Sequence, residues 1–291
     1  MAGKPPTRIV KGNRAVPSPH TRNWYARRLK LLAQVMDGRV RIYFKRTGET
    51  LTPADRAELA RLRGKFAMLF DEEARPLATE FVNRNITATK ASFRAATKPI
   101  IEAQEEELRN AKRKAMSSQV RFQVKIDGRR DRLELAQFKE TVEENVNLIK
   151  TIPEKYFDKI GAAVEKRTRG QMTRGALVKR IKEIGGVTQR RAEMIADDQT
   201  AKVTERMMLE RCKKAGVRKV IWLHSSISMH PRDVHRRKWD GHTGKFNRKP
   251  NGFNGYIFDI DKPPYDPVAK QYVYPAQLPN CKCYLSPVLE L

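Results

Sequence analysis

Between Thr52 and Gly216 most apolar residues of this chain recur at helical spacing. From Ser225 onward that rhythm gives way to Pro, Gly, Asn and aromatic residues. A chain patterned this way predicts an α+β protein: a mainly helical, elongated N-terminal half followed by a small C-terminal α+β domain. LTPAD opens the first clear helix. Thr52 is placed to cap it, Pro53 suits its first turn, and Asp55 meets the positive end of the helix dipole. Leu59, Leu62, Phe66, Leu69 and Phe70 then mark one buried face, and helical texture continues to about Lys114 with a break near Pro76.

Helices resume over 133–150 and, after Pro153, to Arg167. Thr173 caps another that Gly185 and Gly186 end, and the strongest runs from Thr188 to Gly216. Upstream, NWYARRLKLLAQVM reads as a short helix, while GRVRIYFKR alternates like a strand or hairpin arm. Val120, Phe122, Val124 and Ile126 alternate before the turn signal Asp127-Gly128. VRKVIWLHSS, 256–260 and 284–289 read as further strands. The expected organisation is a flexible basic arm over 1–23, a mainly helical region with a short strand or hairpin over 24–150, and a C-terminal domain over 151–291.

Charge narrows the function. The chain has 60 Lys and Arg against 33 Asp and Glu, a net charge of +27, so a polyanionic partner is favoured. Twelve basic residues lie between Met1 and Arg46, opposed only by Asp37. Of these, Lys4, Arg8, Lys11, Arg14, Arg22, Arg27, Arg28 and Lys30 are the expected DNA contacts. No zinc-finger, homeodomain or basic-zipper spacing is present, so contact to phosphate without sequence preference is expected. No apolar run approaches the roughly 18 residues that a membrane span needs, and the N-terminus has no signal-peptide apolar core. Three cysteines do not suit a disulfide scaffold, which points to a reducing cytoplasm.

Four of five histidines fall between His224 and His242, and Cys281 and Cys283 sit one residue apart near the C-terminus. His230, His235, Cys281 and Cys283 satisfy the donor count of a structural zinc site. Neither C-x-C nor H-x4-H is a zinc-finger spacing, however. The commoner role of such thiols is as small apolar residues of a closing strand, with no cofactor. Asp233, His235, Asp240 and His242 offer acid–base groups, but no glycine-rich phosphate cradle or nucleophile elbow accompanies them, so no catalytic activity is expected.

The order of these features resembles that of the Mu F-like minor head proteins, the head morphogenesis family of tailed bacteriophages. The resemblance spans roughly 157–291. It rests on a long helix ending at Gly216, a strand bearing Trp222, His235 followed by Asp240-Gly241, an aspartate–proline loop (FDIDKPPYDP), and LPNCKCYLSPV with Cys281, Cys283 and Pro287. One more residue separates His235 from Asp240 than in the family pattern. The resemblance implies a low-copy protein inside the virion near the portal, present in the host cytoplasm during assembly. It implies the portal protein and the major capsid or scaffold protein as partners, alongside double-stranded DNA. The alternatives are a metal-dependent DNA-processing enzyme of the phage, a toxin-like effector in which such a domain is an adaptor, and a nucleic-acid-binding protein outside the virion.

Overall fold

In the computed structural model the described residues are 8–113, 135–226, 231–238 and 252–290. They form an α+β protein, mainly helical, with a small antiparallel sheet. Helices α1 (Pro19–Arg46), α2 (Pro53–Arg113), α3 (Leu135–Thr168) and α4 (Arg174–Lys214) are long, and α5 (Asp233–Arg236) is a single turn. Strands β1 (Ile9–Lys11), β2 (Lys219–Leu223), β3 (Ile257–Asp259) and β6 (Tyr284–Glu290) make a sheet of order β1-β6-β2-β3. The pair β4 (Tyr265–Asp266) and β5 (Gln271–Tyr272) stands apart from it. The chain divides into two compact units. The first comprises Met1–Ser18, Asn85–Leu133 and Thr200–Leu291, and the second Pro19–Arg84 and Glu134–Gln199.

The second unit is a helical bundle. Its core positions step by three and four along every helix: Tyr25, Leu29, Ala33, Met36, Val40 and Phe44 on α1, and Leu62, Phe66, Phe70, Ala74, Leu77 and Phe81 on α2. This is the spacing at which one helix presents a seam to its neighbours. It explains why GRVRIYFKR, expected as a strand, instead continues α1: Met36, Val40 and Phe44 face the core only on a helix. It also explains why α3 passes through Pro153. The one hydrogen bond that the proline removes is outweighed by burial of Ile149, Ile152, Tyr156 and Phe157 on either side. Helix α2 runs on through Pro76 in the same way, between the buried Ala74 and Leu77.

Gly185 and Gly186 do not end a helix; α4 continues through them. A Cβ on Gly185 would stand well under 3 Å from the Asp37 carboxylate. Asp37 is buried, accepts a hydrogen bond from the Tyr156 hydroxyl at 3.1 Å and lies 3.6 Å from Arg41. Burial raises its carboxyl above the ordinary value, an effect that Arg41 and Tyr156 partly offset. Gly185→Ala is therefore expected to cost about 1–3 kcal/mol of stability by overpacking, measured by chemical denaturation.

Two helix starts follow the expected chemistry. Thr173 Oγ1 accepts from the Ala176 amide at the head of α4. At the head of α2, Thr52 and Asp55 cap each other reciprocally: the Thr52 amide donates to Asp55 Oδ2 at 2.7 Å, and the Asp55 amide donates to Thr52 Oγ1 at 3.3 Å. The Thr52 amide, the largest favourable influence, and the Tyr43 hydroxyl hold the Asp55 carboxyl below its usual range. A depressed carboxyl contributes stability above its unfolded pKa and loses it as pH falls through the folded one. Asp55→Ala should thus cost about 1 kcal/mol near neutrality. The difference from the parent should shrink to nothing in acid denaturation series.

The first unit packs the sheet against the ends of α2 and α4. Its core includes Phe93, Ile100, Met208, Cys212, Val220, Trp222, Phe258 and Leu285. Helix α4 ends as expected at Gly216, whose φ of 83° lets the Val217 amide reach back to the Cys212 carbonyl. The expected flexible arm is corrected from residue 8 onward. β1 pairs antiparallel with β6, Ala15 is buried, and α1 already begins at Pro19.

The segment is held because neighbouring prolines leave backbone groups free. Pro99 has no amide to donate to the Ala95 carbonyl, which the Asn13 side chain fills at 3.3 Å. Pro287 can donate nothing to β1, and the Ser286 hydroxyl takes over at the Gly12 carbonyl, 2.6 Å away. Glycine is required at position 12, where a Cβ would run into the Ala96 carbonyl and the Pro287 ring. The strand expected over 120–126 lies outside the described residues.

Candidate metal centre

Three elements of the first unit bring side chains to one buried point. β2 carries Trp222 next to its last residue and delivers His224 just past its end. The turn α5 delivers His235, and the segment before β6 delivers Cys281 and Cys283. His235, Cys281 and Cys283 are each 5% exposed or less, and their donor atoms all lie within 4.8 Å of one another. His235 Nδ1 is 3.4 Å from Cys281 Sγ and 3.9 Å from Cys283 Sγ. A fourth donor faces the same sulfur: His224 Nδ1 lies 3.7 Å from Cys283 Sγ. The group His235, Cys281 and Cys283 could hold a metal ion.

The C-x-C spacing works here because the thiols precede the closing strand rather than lie in it. The Cys281 amide donates to the Leu278 carbonyl at 3.0 Å, and Asn280 adopts a φ of 58°. This turn removes the extended geometry under which alternate side chains merely share a strand face. The sulfurs form a coupled pair. Cys283 donates to the Cys281 thiolate, and with His235 this brings the Cys281 thiol down to about 4. The second proton is held all the more firmly for the same reason, with burial added.

Asp266, at the end of β4, orients His235. Its Oδ2 sits 3.0 Å from His235 Nε2, and its Oδ1 accepts the amides of Val268 and Ala269 at 2.8 and 3.0 Å. Burial would raise this carboxyl, but those amides and the imidazole more than offset it and keep it below its ordinary value. An ionised carboxylate only accepts, so Nε2 donates to Asp266 and Nδ1 is the ring nitrogen turned towards the sulfurs. His224 is held below its ordinary value by burial, which favours the neutral imidazole that a ligand must be.

Two aromatic rings wall the group. Trp222 lies 4.8 Å from the His235 ring at a steep angle, and Phe253 stacks on it at 5.5 Å. The Trp222 indole N–H has no oxygen or nitrogen acceptor, and its influence falls on the Cys283 sulfur, whose thiolate it favours. Glu205, from α4, accepts the Leu285 amide at 2.9 Å, and burial pushes its carboxyl well above the ordinary range. Cys212 lies elsewhere in the same core, its thiol pushed up by burial.

Of the residues singled out in the sequence, Trp222, His235, Cys281 and Cys283 converge. Pro287 lies within β6 opposite Val220. His230, Asp240 and Gly241 lie outside the described residues, as does Lys4. The expected DNA contacts scatter. Arg8 pairs with Glu106, and Arg14 lies over the Tyr284 ring. Arg22 pairs with Asp197 and Lys30 with Glu193, while Lys11, Arg27 and Arg28 are exposed. Basic excess instead concentrates by unit, with 33 basic against 14 acidic residues in the first and 27 against 19 in the second. Among the described residues no helix is long and apolar enough to cross a membrane.

Fold and centre together define a mainly helical α+β protein with a buried cysteine–histidine group. No family model matches the chain, and no solved structure matches it. Over 147 residues it is 30% identical to a protein of Haemophilus influenzae described as uncharacterized; the match covers 50% of this chain and 28% of that protein. The chain thus spans little more than a quarter of its relative's length.

Proposed function

We propose that this chain is a minor head protein of a tailed bacteriophage, low in copy number, bound inside the head to the portal or the capsid shell. It would contact packaged double-stranded DNA through phosphates without transforming it. The observation that carries the reading is the convergence of Trp222, His235, Cys281 and Cys283. These four of the residues on which the Mu F-like resemblance rests, separated by up to 61 positions, pack around one point in the first unit. The +27 charge supports the DNA component, because a cationic surface suits a compartment filled with polyanion.

Within this reading the centre is a structural zinc site held by His224, His235, Cys281 and Cys283. A tetrahedral ion with Zn–S of about 2.3 Å and Zn–N of about 2.0–2.1 Å sets its nitrogen and sulfur ligands about 3.6 Å apart. The separations of 3.4, 3.7 and 3.9 Å agree with that edge. When bound, the ion would cross-link β2, α5 and the segment before β6. Asp266 would fix the His235 ring, and Trp222 would hold solvent away and face one thiolate. Four protein donors leave no open position for substrate, which favours a structural role over the alternative of a metal-dependent nuclease. Mass spectrometry of purified phage particles tests the assignment: this chain should be present at a few copies per head, and its absence would reject it.

A further inference from the structure

We infer that the solvent-facing side of α1 is a docking seam for a partner helix that carries acidic residues beside an apolar stripe. Opposite the α1 core positions, Leu31, Val35 and Ile42 stand 52%, 46% and 50% exposed. With Gly38 they step by four, three and four, the spacing of a seam that packs on another helix. A Cβ at Gly38 would meet nothing within 4 Å, so the protein's own packing does not demand glycine there. Its missing side chain leaves a dent in the middle of the stripe where a partner can approach closely.

The charge beside the stripe selects the occupant. Arg27 and Lys45 border it on one side and Arg28, Arg39 and Arg46 on the other, all exposed. The only acid of α1, Asp37, is buried in the bundle. The acids that face α1 from α4, Glu193 and Asp197, are engaged by Lys30 and Arg22. A second copy of this helix would set arginine against arginine, which repels. A helix with glutamate or aspartate flanking its seam would meet opposite charge along the whole length. Duplex DNA would use the arginines but leave the apolar stripe in water. An anionic bilayer would find three aliphatic side chains and no broad apolar face to insert.

The inference rests on α1 alone. Particles lacking this chain would end the virion assignment and leave the seam untouched. The test uses the full-length protein and a labelled amphipathic peptide of about four heptads, with leucine at the seam and glutamate beside it. A companion peptide has lysine in place of glutamate, and duplex DNA and phosphatidylglycerol vesicles serve as comparison probes. Fluorescence anisotropy should show binding of the glutamate peptide and at least tenfold weaker binding of the lysine peptide. Leu31→Ser with Ile42→Ser, and separately Arg28→Glu with Arg39→Glu, should each weaken the glutamate peptide at least tenfold. Circular dichroism and the unfolding midpoint should stay at their parent values, since all four positions face solvent. No binding of the glutamate peptide, binding that neither pair alters, or loss only of vesicle or DNA binding in the seam pair would overturn the inference.

Discussion

Raising salt from about 50 to about 200 mM should weaken binding of this protein to duplex DNA by about a thousandfold. The estimate takes six phosphate contacts, for which log affinity falls with log salt at a slope of about −5. Where the contacts lie matters as much as their number. Arg22 and Lys30 are engaged by Asp197 and Glu193 at 2.5 and 2.6 Å, so Arg22→Gln and Lys30→Gln should leave the slope near its parent value. Lys214, Arg218 and Lys238 belong to the first unit, where the basic excess is largest, and all three are exposed. Each of them that touches a phosphate should remove about one unit of slope when neutralised. Titration by anisotropy across a salt series reads both quantities. A flat response would remove the DNA component.

The second large effect is at the centre. Cys283→Ser keeps the volume of the side chain but removes the sulfur shared by His224 and His235. The variant should lose its metal and the thermal stability of the first unit, because binding energy at a structural site is folding energy. The signature is conditional: a chelator should lower the melting temperature of the parent to that of the variant and leave the variant unmoved. Asp266→Asn should keep the fold but weaken metal affinity by about 10–100-fold, since the amide no longer fixes the His235 tautomer as a carboxylate does. If parent and variant respond alike to chelator, the cysteines are core residues and nothing more.

How much of this was legible in the sequence depends on which force wins locally. β2, β3 and β6 fall where strands are expected; β2 and β6 are short apolar runs buried on both faces and bounded by turn residues. The 38–46 segment misled because its alternation also contains a four-residue step, and burial of Met36, Val40 and Phe44 in the bundle decides between the two. Gly185 looked like a stop but is a contact, and only the position of Asp37 reveals it. The basic arm looked disordered by composition. Its three-residue strand is stabilised by groups at the other end of the chain, which no local pattern encodes.

At the centre, the sequence pointed to His235, Cys281 and Cys283. His224 counts in the histidine cluster but is not singled out as a ligand, since it sits just past the end of β2 and carries no motif. Asp266 stands out only as part of the aspartate–proline loop FDIDKPPYDP, because its role depends on a hairpin folding back over α5. The one available hint was Asp-Pro in YDP, a turn signal that places a carboxylate against its own following amides.

The account stands most directly on whether four side chains from three elements bind one ion. Elemental analysis of the natively purified full-length chain, alongside a variant with both Cys281→Ser and Cys283→Ser, measures this. The account expects one zinc per parent chain and none in the variant, with the first unit losing its cooperative unfolding. A metal-free parent that unfolds at the same temperature as the variant would contradict it.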